Sequence, residues 1–408
     1  MSIQVSPDGL CVASARSHFV ALWHSESGSI VKEWTVPHYY DMIFVPTDSR
    51  HLAICSRDRL VVQNVMHPFD VVAETHFAHR AHCFTWSPDG ALCACVGPWK
   101  DAGRFHVSIH RTETTNMIYE YTSTSDGLHL EDLGVSGFAF SQDNRRLLLA
   151  HSCARTIDLN AKESKSICWI WDMYSTASPR KLLSYGARVH DATFNPANSA
   201  QVFVTLESGI IQIRDVASGV VLSNLAVGYN LRHAPRLLYS PDGTCIATTT
   251  VPRRNTEVRL CNTKTATVLE PIACAQADSF SWISFSPDGT RLLASSSNAP
   301  SQLWDPHTAR PVLSLEAHIN VFHAASFSPD SRLLALGYYD GTVRLWDVSD
   351  GTCLAIFTEH TARVNHLVFS ADGDILCSAG EDGGVYIRRL RDIRLHLRRA
   401  KSVPSASE

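Results

Sequence analysis

The sequence predicts an all-β fold of nine four-stranded antiparallel sheets arranged in one ring. Three observations predict it. An apolar residue followed by Ser-Pro-Asp-Gly, or a worn version of it, occurs nine times; the copies recur at a period near 42 residues; and no helix-period segment lies between them. The copies follow Val5, Phe44, Trp86, Phe140, Phe194, Tyr239, Phe285, Phe327 and Phe369, at spacings of 39, 42, 54, 54, 45, 46, 42 and 42 residues. A unit of that length cannot bury its own apolar face and must stack on its neighbours.

The elements of a unit follow in order. The first strand ends at the apolar anchor; in the last unit Val364-His366-Val368 alternate out of phase with Leu367-Phe369. Pro-Asp-Gly then supplies a tight turn, because Pro fixes φ, Asp bonds the backbone two residues on and Gly accepts positive φ. The second strand mixes Leu, Ile and Val with small Ala, Ser, Cys and Gly (91–96, 202–208, 245–250, 291–297, 332–337), as suits a strand crowded by adjacent sheets. The third carries an aromatic label: Ile170-Trp171-Asp172, Gln302-Leu303-Trp304-Asp305 and Val343-Arg344-Leu345-Trp346-Asp347. After a short turn such as Ser218-Gly219 or Asp350-Gly351 comes the fourth strand, for example 353–357.

Four antiparallel strands with Trp-Asp closing the third resemble the WD-repeat (WD40) family of β-propellers, over residues 1–390. Eight or seven blades with leftover terminal units are the alternative counts. The resemblance implies that a His before the first strand, a Ser or Thr in the second, an Asp in the next turn and the third-strand Trp lock each blade by hydrogen bonds. Carried over, these are His318, Asp340 and Trp346 in the eighth unit, where Leu336 occupies the hydroxyl position. The ninth has His360, Ser378 and Asp382, with Arg388 in place of Trp; the seventh has Ser295 and Trp304. No unit is complete, so blade stability is expected to rest on apolar packing.

Composition narrows the class. With 408 residues, 45% of them hydrophobic, the chain can bury a large core, and the unbroken repeat makes that one domain. A net charge of −4 gives no global pull toward nucleic acid or anionic membrane. There is no apolar run of membrane-spanning length and no leader pattern, so an intracellular, cytoplasmic or nuclear location is expected. The twelve cysteines lack Cys-x-x-Cys spacing and read as reduced packing residues, without a metal. Phosphate-loop, nucleophile-elbow, zincin and dinucleotide motifs are all missing, so no catalytic residue and no cofactor is assigned. The Trp-Asp-x-Arg tetrapeptide by which some family members dock on a cullin-ligase adaptor would need Arg at Tyr174, His307 or Ser349.

The two 54-residue intervals place extra length in 97–104, 122–134 and 151–166, loops expected on the top face of the third and fourth blades. Candidate partner-binding residues are Trp99, Lys100 and Arg104 in the first loop, Arg155 and Lys162 in the third, and a separate basic group of Arg232, Arg253 and Arg254 on the sixth blade. The basic tail, 391–408, alternates Ile393, Leu395 and Leu397 with Arg394, His396 and Arg398, which suits an outer strand of the last blade. Its rival pattern, Leu390, Ile393 and Leu397 on one side of a basic helix, suits a membrane surface or an acidic partner. The resemblance implies a non-enzymatic scaffold for protein or peptide partners, working as a monomer or within a larger complex. A sensor array detached from a larger signalling protein and a propeller enzyme acting on small molecules are the alternative classes.

Overall fold

The structure is a computed structural model that describes residues 2–393 except 17, 46–48, 67–70, 78–80, 82, 99–104, 123–132, 154–165, 176–178, 186–187, 228–236, 251–256, 273–279, 297–298, 316–321 and 392. Nine sheets follow one another along the chain, spanning 2–35, 39–76, 83–122, 133–185, 189–226, 237–268, 280–315, 322–357 and 364–389. Within each, strands pair antiparallel in sequence order, so each blade is a local meander. The expected nine-bladed ring is what forms.

The core explains why. Nine apolar clusters exist among the described residues, and each spans two neighbouring blades. Second strands are therefore buried on both faces, as in Leu333–Tyr338 and Ile375–Gly380, where every residue is buried. That is the reason their sequences run continuously apolar and small rather than alternating. The ring closes the same way. Ile3 and Val12 of blade one pack on Ile375, Cys377 and Ala379 of blade nine, and Arg389 Nη2 meets Glu26 Oε1 at 2.8 Å.

The Ser-Pro-Asp-Gly turns do more than reverse the chain. In blade one the Ser6 hydroxyl donates to Asp8 (2.6 Å) and accepts from Cys11 N (2.9 Å), while Asp8 also accepts from Leu10 N (3.0 Å). Ser87, Ser141, Ser240, Ser286, Ser328 and Ser370 repeat the first two bonds. The left-handed position that Gly9 fills (φ 72°) is taken by Asn144 and Ser331 in the worn copies, both at φ 59°. At four junctions the turn Asp N–H then reaches a side chain of the next blade: Ser49, Asn144, Ser199 and Ser331. The turn is thus a clasp between blades as well as within them.

Blade nine has three strands among the described residues. The tail expected to add a fourth starts with helical backbone at Arg391 and Ile393, and from 394 it lies outside the described residues.

Candidate functional site

The first strands, nearest the ring axis, share one irregularity. In blades two, four, five, seven, eight and nine the pairing register slips four residues before the anchor, leaving an extra residue: Tyr40, Ser136, His190, Ser281, His323 and Asn365. A bulge of this kind breaks the ladder and re-aims one side chain, and such bulges concentrate beside functional sites. Crowding leaves little room here, since a Cβ on Gly137 would stand 2.1 Å from the Ala192 carbonyl oxygen of the next blade. The repeated bulge sets a ring of mostly polar residues at one height. It lies toward the face where second-to-third turns and inter-blade links emerge, the top.

The rim is best defined at blades eight and nine. Tyr339, in the second-to-third turn of blade eight, is 49% exposed although aromatic. The His323 ring meets it edge-on at 5.6 Å, and the Arg363 guanidinium of blade nine lies 5.4 Å from its centroid. Arg363 in turn faces Glu381 at 3.5 Å. Tyr and Arg held this way are pre-ordered, and they are the residue types that dominate binding hot spots. Past the closure, in blades one and two, Tyr40 donates to the Ala81 carbonyl (3.1 Å) and packs on Phe84, while His38 and His18 meet edge-on.

Below the rim two carboxyls are half-buried. Asp41 accepts from Trp86 Nε1 at 3.2 Å and Asp191 from the Tyr239 hydroxyl at 3.4 Å; each lies three residues before its anchor and reaches the aromatic anchor of the following blade. Burial raises both above the ordinary carboxylate range. They belong to blades two and five and so cannot act as a pair; their work is to tie neighbouring blades together. No group of three or more His, Cys, Asp or Glu among the described residues is placed to hold a metal ion. Most strand cysteines are buried thiols, Cys83 and Cys353 being half-buried, with Cys168, Cys245 and Cys377 pushed up to about 12 by desolvation.

The expected locks are partly as read. In blade nine, His360 Nδ1 lies 3.1 Å from Asp382 and Nε2 lies 2.8 Å from Ser378 Oγ. Arg388, which replaces the Trp, completes the set. Its Nη1 donates to Ser378 (2.7 Å), its Nε and Nη2 pair with Glu359 (3.1 and 2.8 Å), and its plane stacks over Phe357 at 4.7 Å. This unit is complete after all, because a guanidinium can donate where an indole would and carries its own counter-ion. In blade eight Trp346 and Leu336 are both buried, Asp340 accepts from Thr342, and Tyr338, two residues beyond Leu336, packs in the same apolar cluster as Trp346. His318 lies outside the described residues.

Blade seven corrects the sequence reading. Trp304 pairs with Leu292, so the position matching Ser378 is Ala294; Ser295 falls one residue later and accepts from Ser301 at 3.3 Å. A one-residue shift in a strand turns the side chain to the other face. The register also reveals locks that sequence reading missed. Trp23 Nε1 donates to Ser14 (2.9 Å), and the third-strand position is held by His110 in blade three and by Arg214 in blade five. His110 bonds Ser108 and the Thr115 carbonyl; Arg214 makes two bonds to Gln212 and one to the Gly219 carbonyl. In each case the buried residue brings its own partners.

The partner-binding candidates Trp99, Lys100, Arg104, Arg155, Lys162, Arg232, Arg253 and Arg254 all lie outside the described residues. A polar cleft of about 400 Å³ opens instead between blades five and six, lined in part by Asn198, Gln201, Ser223, Asp242, Thr244 and Lys264. It arises where Asn195-Pro196-Ala197-Asn198 replaces the clasping turn. The departure from the motif was visible in the sequence, though its consequence was not.

With this geometry in place, comparison with known proteins matches two of the repeats. Residues 309–347 and 351–388 match the family model described as WD domain, G-beta repeat. These two stretches are matched as WD40 repeats, and the ring that holds them is a nine-bladed β-propeller. Among solved structures, the ring is similar to the computationally designed Ika8 protein, at 16% identity and a TM-score of 0.55, covering 86% of this chain and 96% of that one. It is also similar to the Dos1 propeller, at 13% identity and a TM-score of 0.55, covering 95% and 91%. At these identities the likeness is one of fold. No curated protein matches the chain. WD40 propellers typically serve as protein-interaction scaffolds.

Proposed function

We propose that this propeller is a non-enzymatic scaffold that presents the top rim of its channel to a protein or peptide partner. The observation that carries the reading is the Tyr339 cluster. A half-exposed aromatic is held between a histidine and an arginine from two blades, on a rim that repeated bulges have dressed with polar side chains. Such a surface offers an anchor ordered before binding, which lowers the entropic cost of association. Photo-cross-linking from position 339, with Met117 on the outer wall of blade three as the control site, tests it. A partner captured from position 339 and not from 117, and lost in an Arg363→Ala background without a change in melting, supports the rim. Equal capture from both positions contradicts it.

A further inference from the structure

The fourth strands form the outer wall of the ring, and an outer strand leaves a row of backbone donors and acceptors that invites pairing. Most of them carry residues that discourage it. Ile30–Thr35 has Lys32 and Glu33, Val71–His76 has Glu74, Met117–Thr122 has Glu120, Arg180–Tyr185 has Arg180 and Lys181, and Arg310–Leu315 has Arg310 and Pro311. Val221–Ala226 of blade five has neither a charge nor a proline. Cys353–Phe357 of blade eight is uncharged as well, but Asp350 and Glu359 close on it from either side; the charges nearest to Val221–Ala226 in sequence are Asp215 and Arg232. Residues 188–227 are described without a break, and Val221–Ala226 is the terminal strand of its sheet.

The backbone of this strand is set for a partner. Val227 N donates to the Gly209 carbonyl at 2.9 Å, so the alternation of an antiparallel ladder turns Leu225 and Ser223 inward to the third strand. The N–H and C=O of Asn224 and Ala226 then face outward, and no described strand pairs with them. Asn224 Oδ1 accepts from Gln212 Nε2 at 3.1 Å, which holds the strand against its own sheet. The next blade leaves this flank uncovered, because its fourth strand is cut to Thr267–Val268. The polar cleft of about 400 Å³ opens at that place, with Leu222 and Ser223 on the wall of blade five and Thr263 and Lys264 on the wall of blade six.

We infer that the outer edge of Val221–Ala226 is a docking site for an extended, uncharged peptide segment, which adds to blade five as a fifth strand. An extended chain is what offers donors and acceptors at the spacing of a ladder, so the unpaired backbone selects a strand over a helix. A peptide residue opposite Ser223 sends its side chain to the face that looks onto blade six, and so toward the cleft. Charges balance there, with one carboxylate, Asp242, and one cation, Lys264; Asp242 already accepts from the Ser240 and Thr244 hydroxyls. The remaining polar lining is amide and hydroxyl, including Asn198 and Gln201. It suits Asn, Gln, Ser or Thr, whereas a charged side chain would give up its hydration for a site of no net charge. The site lies on the outer wall, apart from the Tyr339 rim, and stands independently of it.

The test is selection of a phage-displayed random dodecapeptide library on the full chain, with the selected peptides synthesised and their affinities measured on variants. Asn224→Pro removes an outward N–H, and Ala226→Lys charges the edge without touching the backbone. Each is expected to weaken a selected peptide about tenfold or more, while Arg363→Ala at the rim leaves its affinity unchanged. N-methylation along that peptide should abolish binding at every second residue, the period of a ladder. A pool in which no peptide responds to Asn224→Pro and Ala226→Lys, or a central consensus of Asp, Glu, Lys or Arg, would overturn the assignment. So would concentration-dependent dimerisation of the parent that Ala226→Lys abolishes, which would give the edge to a second copy.

Discussion

Blades eight and nine are neighbours of equal design that solve one problem in opposite ways. In blade eight the third strand buries Trp346 against Leu336 and its surroundings, and the core there is almost wholly apolar. In blade nine the same position holds Arg388, tied to Ser378, Glu359 and, through Ser378, to His360 and Asp382. The fold asks for a large side chain at this point that fills the space between sheets; Arg388 arrives with its polar atoms bonded, whereas the buried Trp346 Nε1 makes no hydrogen bond. The fold does not ask for tryptophan. Loss of the family's residue types is therefore a poor guide to loss of the interaction, since His110 and Arg214 meet the same demand with partners of their own.

The two solutions should fail differently. Trp346→Ala, which empties a nearly inaccessible site, should cost about 3–5 kcal/mol in urea unfolding and weaken blade eight before the rest. Arg388→Met keeps the volume but removes one of the two bonds to the Ser378 hydroxyl, which keeps His360, and leaves Glu359 without its cation. The cost should be about 2–3 kcal/mol, below that of a fully buried pair, because the Glu359 side chain is 40% exposed. Arg388→Trp returns the family residue beside Ser378 and should stay within about 1 kcal/mol of the parent. A loss as large as that of the Met variant would mean that the Glu359 pairing, and not the donor to Ser378, holds the blade.

Acid should separate the regions by a smaller effect. His106, His110 and His151, in blades three and four, are held below the ordinary histidine range chiefly by burial. A folded pKa below the unfolded one means stability is full above the unfolded value, about 6.5, and is lost as pH falls further, because the unfolded chain takes up protons first. Asp382 of blade nine is also lowered, by bonds from Thr361 N, Gly384 N and His360 acting against desolvation, so its contribution persists until pH nears 4. Hydrogen exchange at pH 5.5 against pH 7.5 should show protection falling in Phe105–Arg111 and Arg146–Cys153. Ile375–Gly380 losing protection first would reverse the assignment.

The contrast also shows what a sequence can carry. Nine anchors gave nine blades because the clasping turn is local chemistry, repeated at a fixed place. His360, Ser378 and Asp382 were readable because blade nine keeps the family spacing. Ser295 was misplaced by one residue, since counting nine from the anchor, as Phe369 to Ser378, leads from Phe285 to Ala294, and the pairing agrees. Arg388 was visible as a substitution, but its bonds depend on Glu359, 29 residues away in sequence. The bulge was not read from the sequence, and only pairing across six blades shows it as a ring. The exposed Tyr339 beside Arg363 had no sequence signal, since the contact joins two blades.

The claim that a different residue can complete the same lock is tested most directly by a double-mutant cycle between Arg388→Met and Ser378→Ala, read as unfolding free energy. The lock predicts a coupling of at least about 1 kcal/mol, because each substitution removes the other's partner. Losses that add to within about 0.3–0.5 kcal/mol would show that Arg388 and Ser378 stand side by side without holding the blade together.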